Sequence, residues 1–242
     1  MKTLIHRAEN RGHANHGWLN AKHSFSFANW YDPTKIHFGA LRVLNDDEVA
    51  QGMGFGKHPH DNMEIITLVQ EGSLEHKDSM GNGSIMKPND VQVMSAGTGV
   101  FHSEMNPDKN NPVKLFQIWV FPDKGNVTPR YDQKTFLPEH RKNKWQEIIK
   151  PDTQQEGDAI FIHQQAWFNL TDLDAGNEIK YNSKKTGNGA YVFVIEGDVE
   201  VAGEKLKRRD AIGISEFNDF NIKASSNARI LVMDLPMLEL EY

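Results

Sequence analysis

The sequence predicts an all-β protein built as two copies of one barrel-like domain, and three observations carry that prediction. Short β-branched and aromatic runs follow one another, separated by Gly, Pro, Asn and Asp, with no sustained helical period. The two halves echo each other at offsets of 125 and 120 residues: Val69-Gln-Glu-Gly-Ser-Leu-Glu-His matches Val194-Ile-Glu-Gly-Asp-Val-Glu-Val, and Asn89-Asp-Val-Gln-Val-Met-Ser matches Arg209-Asp-Ala-Ile-Gly-Ile-Ser. Between them, residues 128–158 are charged and punctuated by Pro129, Pro138 and Pro151, as a connection would be. We therefore expect an N-terminal unit over 1–135 and a C-terminal unit over 136–242.

The elements follow in order. Residues 10–18 are rich in Gly and His; Gly12 and Gly17 argue against a helix, so His13 and His16 are expected in a loop, exposed or hydrogen-bonded. From Lys22 to Trp30, Ser24 and Ser26 alternate with Phe25 and Phe27, the period of a half-buried strand stopped by Asp32-Pro33. A second strand runs from His37 to Asn45 and ends in an acidic turn, Asp46-Asp47-Glu48. Strands follow at Glu64–Val69, Ser73–His76, Val91–Val93 and Lys114–Phe121, the last being the most apolar in the chain. Short helices are confined to the connections, with Asn143–Ile149 as the amphipathic candidate. Strands resume at Ala159–His163, Gln165–Leu170, Glu178–Tyr181, Ala190–Gly203, Asp210–Ile214 and Ala228–Leu235.

Composition narrows the function. The 242 residues carry 33 acidic and 27 basic side chains, a net charge of −6, which leaves no electrostatic footprint for direct nucleic-acid binding. No long apolar run offers a membrane span, and the first residues, Met1 to Arg7, lack the apolar core of a signal peptide, so a cytoplasmic location is expected. The absence of cysteine excludes disulfides, thiol chemistry and Cys-rich zinc sites, so a bound metal must rely on His and carboxylates.

Such a set is present. Side chains two apart on a strand share a face, so His58 and His60 project together, and His102 and Glu104 repeat the arrangement some forty residues on. Three imidazoles and a carboxylate suit a divalent first-row metal. Glu64 shares parity with His58 and His60 along a regular strand and is a second carboxylate candidate; Glu104 is favoured because its i+2 relation to His102 assumes no long regular strand. Otherwise Glu64 would orient a histidine ring N–H. The second half lacks these chemical groups: no HxH precedes its Glu196-Gly197 turn, Phe217–Ile222 holds no histidine, and His163 stands alone.

These residues resemble the cupin signatures. Gly52, His58, His60, Glu64 and Gly72 lie close to the first, long by one residue in its last interval; Gly97, His102 and Asn106 resemble the second, with Ser95 in place of its proline. The whole chain resembles the pirins, above all their bacterial branch, through Arg11-Gly-His-Ala-Asn-His-Gly-Trp18, Phe25-Ser-Phe-Ala-Asn29, His58-Pro-His60, Ser95-Ala-Gly-Thr-Gly99, His102-Ser-Glu104 and Thr128-Pro-Arg-Tyr131. The resemblance implies two cupin barrels of the double-stranded β-helix, jelly-roll type, one loaded with metal and one degenerate. It also implies Glu104 as the fourth ligand beside His58, His60 and His102. One divalent transition metal per chain is expected, iron first, with nickel, copper, manganese, cobalt and zinc also compatible with the donors.

Pirins resemble quercetin 2,3-dioxygenases, so the resemblance implies an oxidoreductase that opens a flavonol-like aromatic with O₂, with Glu104 as the base for the substrate hydroxyl. Family members are also described as partners of transcription factors. The alternative is thus a metal-binding regulatory protein acting through a protein partner, and turnover of a flavonol separates the two.

Overall fold

The computed structural model describes residues 1–238; positions 239–242 of the expected second unit lie outside it. Four β-sheets form two barrels, as the cupin resemblance implies. In the first, a seven-stranded sheet has the order Arg130–Thr135, Asp90–Ser95, Glu64–Glu71, Val113–Val120, Leu41–Val49, Leu19–His23, Gly12–Asn15. It closes on a four-stranded sheet of Gly54–His60, Val100–Met105, Leu74–Asp78 and Gly83–Met86. The second barrel repeats the plan, its seven-stranded sheet running from Lys2–His6 and Ala211–Ser215 at one edge to Ile160–Ile162 at the other. Thus the strand that ends at Thr135 closes the first system, while Lys2–His6 crosses to the second and pairs antiparallel with Ala211–Ser215.

The two large sheets are buried on both faces, which explains their unbroken apolar runs. Along Asn188–Glu196, Tyr191, Phe193 and Ile195 join the central core shared by both halves, while the alternate Ala190, Val192 and Val194 fill the second barrel. In the first barrel Phe116, Ile118 and Val120 face the shared core, where Phe116 meets Phe193 edge-on at 5.3 Å. The alternate residues of that strand, Gln117 and Trp119, turn to the lumen. The halves are also joined by charge: Asp46 accepts hydrogen bonds from Arg11 (3.2 Å) and Arg209 (2.9 Å).

Several expectations are corrected. The Asp46-Asp47-Glu48 turn is part of the nine-residue strand Leu41–Val49, where both flanking strands supply partners for its backbone. Acidic residues were tolerated there because Asp46 finds arginines. The amphipathic helix over Asn143–Ile149 is absent; Gln146–Pro151 is a strand paired to Trp167–Leu173, and among the described residues helical structure is limited to two single turns, Ala8–Asn10 and Pro138–His140. Two apolar neighbours, Ile148 and Ile149, fit a strand buried on both sides as well as a helix face. His13 lies on the short strand Gly12–Asn15, in place of a loop, and its Nε2 is 2.8 Å from Asn20 Oδ1. The alternating run after His23 is irregular, for Phe27 pairs locally with Trp30.

One close approach sets the site. A Cβ on Gly54 would stand 2.2 Å from the Glu104 carbonyl oxygen and 2.6 Å from Met105 Cα, so the two strands meet only because that side chain is a hydrogen. Gly54→Ala should lower stability by about 1–3 kcal/mol, seen as a melting temperature reduced by roughly 2–12 °C. An unchanged melting curve would contradict this packing.

Candidate metal centre

The antiparallel pairing of Gly54–His60 with Val100–Met105 sets His58 opposite His102 and His60 opposite Val100. The register slips between His102 and Glu104, because Glu104 faces Phe55: the first strand carries one extra residue at Gly56-Lys57. The imidazole nitrogens of His58, His60 and His102 consequently gather within 4.8 Å of one another, the one such cluster among the described residues. Ring centroids lie 4.3 Å apart for His58 and His102 and 4.9 Å for each other pair.

The cluster has the chemistry of a ligand set. His58 Nδ1 lies 2.7 Å from the Gly56 carbonyl, which can only accept, so Nδ1 carries the proton and Nε2 keeps its lone pair. His102 is buried, and neither of its nitrogens has a hydrogen-bond partner. Burial pushes His60 down to about 4 and lowers His102 strongly, with the neighbouring histidines adding to both. Burial thus favours the neutral form of His60 and His102, the state in which imidazole binds a metal.

Glu104 lines the same cavity but lies outside the 4.8 Å set. Its carboxyl is buried and receives Gln117 Nε2 at 3.0 and 3.2 Å, with Thr67 Oγ1 at 3.5 Å. Burial raises its pKa, opposed by the Gln117 hydrogen bond. Glu64 goes elsewhere. Its strand belongs to the large sheet, and the chain turns at Asn62 (φ 43°), which ends the parity with His60. Glu64 shares its face with Ile66 and Leu68, accepts a 2.7 Å hydrogen bond from Ser95 Oγ and does not line the cavity. Burial pushes it up to about 7, against the Ser95 hydrogen bond and the Arg130 charge.

The cavity measures about 440 Å³. Trp18, Phe27, Phe55 and Trp119 supply aromatic walls; Phe27 and Trp119 meet edge-on at 5.4 Å, Trp18 and Phe55 at 5.3 Å. His23, Asn45, Asp47 and Gln117 add polar groups. Several of these escaped the sequence reading. A polar Gln117 inside the most apolar strand was the available signal, since a mid-strand polar residue needs a buried partner. Asp47 was masked by its acidic neighbours. His76, fully buried and stacked on Tyr131 at 4.9 Å, lies 5.3 Å from His102 with both nitrogens unpartnered. It stands opposite Glu104 in register, a pairing no spacing reveals.

In the second barrel Tyr181, Phe220, Ile222 and their neighbours pack the interior. His163 pairs instead with Asp152 at 3.0 Å.

Comparison with known proteins agrees with this geometry. The pirin family model matches residues 5–120, and the model of the quercetinase C-terminal cupin domain matches 149–235. The chain is 41% identical over 236 residues to the quercetin 2,3-dioxygenase of Escherichia coli strain K12, covering 96% of this chain and 98% of that one. The crystal structure of YhhW from Escherichia coli superposes with a TM-score of 0.93 at 38% identity, over 99% of this chain and 100% of that chain. Bacterial pirin YhhW in complex with nickel(II) gives 0.91 at 38% identity, over 98% and 100%.

The raised Glu64 yields a pH-dependent expectation. A carboxyl whose folded pKa lies above its unfolded value makes folding less favourable as pH rises between the two, here from about 4.5 to about 7. Glu64→Gln should therefore stabilise the metal-free protein by about 1–3 kcal/mol at pH 8 and lose most of that gain at pH 5. Thermal unfolding at both pH values checks the sign; an equal gain at each would contradict it.

Proposed function

The chain belongs to the pirin family, and we propose that it is a metal-dependent dioxygenase that opens a flavonol-like aromatic with O₂, its metal held by His58, His60, His102 and Glu104. The observation that carries the reading is a cluster of three imidazoles, two of which, His58 and His60, line an aromatic-walled cavity of about 440 Å³. It is supported by the name of the Escherichia coli relative and by the nickel(II) complex of its structural neighbour. A closed structural site would have no use for such a cavity.

Bound there, a divalent metal supplies Lewis acidity that favours the ionised form of a substrate hydroxyl. The protein does the rest. Trp18, Phe27, Phe55 and Trp119 give a flat ring apolar surface and exclude water from it. Glu104, kept basic by burial and aimed by Gln117, takes the hydroxyl proton. Thr67, whose single O–H has the shorter reach to Gln117 Oε1, 3.2 Å against 3.5 Å to Glu104, fixes the amide by donating there so that its N–H₂ faces the carboxylate.

Two outcomes are expected. The His58→Ala/His102→Ala double variant should lose the one metal per chain; full occupancy by metal analysis would sink the assignment. Glu104→Gln retains an oxygen donor but accepts no proton, so it should stay folded and metal-loaded while turnover falls about 10²–10⁴-fold. Wild type loaded in turn with Fe, Mn, Co, Ni and Cu would be given quercetin under air, following absorbance and O₂ uptake. No turnover with any metal would remove the flavonol dioxygenase reading and shift the weight to a regulatory role.

A further inference from the structure

Asp47 is the anomaly of the cavity wall. It is 6% exposed, yet its carboxyl makes no hydrogen bond or ion pair among the described residues, and its Oδ1 is sealed from solvent without a partner. Two other polar groups of the same wall are answered within the protein. Glu104 is held by Gln117, and Asn45 Oδ1 lies 2.8 Å from His23 Nδ1. Asp46, its neighbour in sequence, points to the opposite face and pairs with two arginines. A buried carboxyl left unpaired is costly, and a position that keeps one is poised for a partner from outside the chain. A second open group lines the same cavity, for the buried indole N–H of Trp119 also lacks an acceptor.

We propose that Asp47 is the specificity-determining residue of the cavity, hydrogen-bonding a hydroxyl of a polyhydroxylated aromatic at a point away from the oxygen that the metal centre takes. This rests on the flavonol reading of the site and deepens it. A hydroxyl suits Asp47 in either protonation state, because it can donate to a carboxylate and accept from a carboxylic acid. A ligand carboxylate suits it less, because a second carboxylate brought against Asp47 must repel it or share a proton with it. Aromatic ligands without the second hydroxyl would leave Asp47 buried and unanswered, the arrangement by which a polar site rejects an analogue lacking the matching group.

The test is binding under nitrogen, where no turnover intervenes. Nickel-loaded wild type and Asp47→Leu are titrated with quercetin and with 3-hydroxyflavone, which keeps the hydroxyl beside the carbonyl and lacks all others. Wild type should bind quercetin at least about tenfold more tightly, the worth of one hydrogen bond to a charged group. In Asp47→Leu the two affinities should converge to within about threefold, quercetin binding more weakly and 3-hydroxyflavone no more weakly than to wild type, with nickel content unchanged. The metal-free variant should melt higher than wild type by about 2–8 °C, since an unpaired buried carboxyl is gone.

Discrimination that survives in Asp47→Leu overturns the inference. So does loss of nickel from that variant, which would make Asp47 a support of the metal centre. Should the variant fail to fold, wild type alone decides, because equal binding of the two flavonols contradicts the proposal. If wild type binds neither, the flavonol reading itself falls; if it binds both alike, only the role of Asp47 does.

Discussion

His58 stands opposite His102 because two antiparallel strands meet with one extra residue on the first, and the rest of the site depends on that register. A slip of one position would turn His58 and His60 to the outer surface of the barrel. The register is held where side-chain bulk is forbidden, at Gly54 against Met105, and the bulge at Gly56-Lys57 adjusts the strand just before the histidines. The same bulge brings the Gly56 carbonyl to His58 Nδ1, so the feature that aims the ring also selects its tautomer.

Burial on both faces of the large sheets then sorts every residue by parity. Phe116, Ile118, Ile66 and Leu68 go to the shared core; Gln117, Trp119 and Thr67 go to the lumen of the first barrel. A polar residue on the lumen side is retained where another polar group answers it, as Gln117 answers Glu104. In the second barrel the corresponding interior is filled by Val192, Val194, Ile212 and Ile230, so the same fold yields a packed core. One chain thus holds a barrel with a histidine cluster and a barrel with a packed apolar interior, joined through the Phe116–Phe193 contact and the Arg209–Asp46 pair.

The fold class and the histidine cluster were legible in the sequence because both depend on local spacing. Alternation and turn residues reveal strands, and i, i+2 pairs share a face whatever their surroundings. What depends on which strands become neighbours was not legible. Parity with His58 and His60 does not reach Glu64, because at Asn62 the chain leaves one sheet for another. Asp46 and Asp47 resembled a turn because their composition is that of a turn; only the arginines of distant segments make the strand tolerable. His76 and Tyr131 meet across a gap in sequence that no motif spans. Lys2–His6 joined the far barrel for the same reason, since an edge strand takes whatever free edge the topology offers.

The central claim is that the paired strands collect a metal in the first barrel, beside a cavity that accepts a flat aromatic. A crystal of the nickel-loaded protein soaked anaerobically with a flavonol, with anomalous scattering collected at the nickel edge, tests it most directly. The account predicts a single anomalous peak among His58, His60, His102 and Glu104, with ligand density between Trp119 and Phe55. A peak at His163 and Asp152, or a metal closed off from the cavity by four protein ligands with no ligand bound, would contradict it.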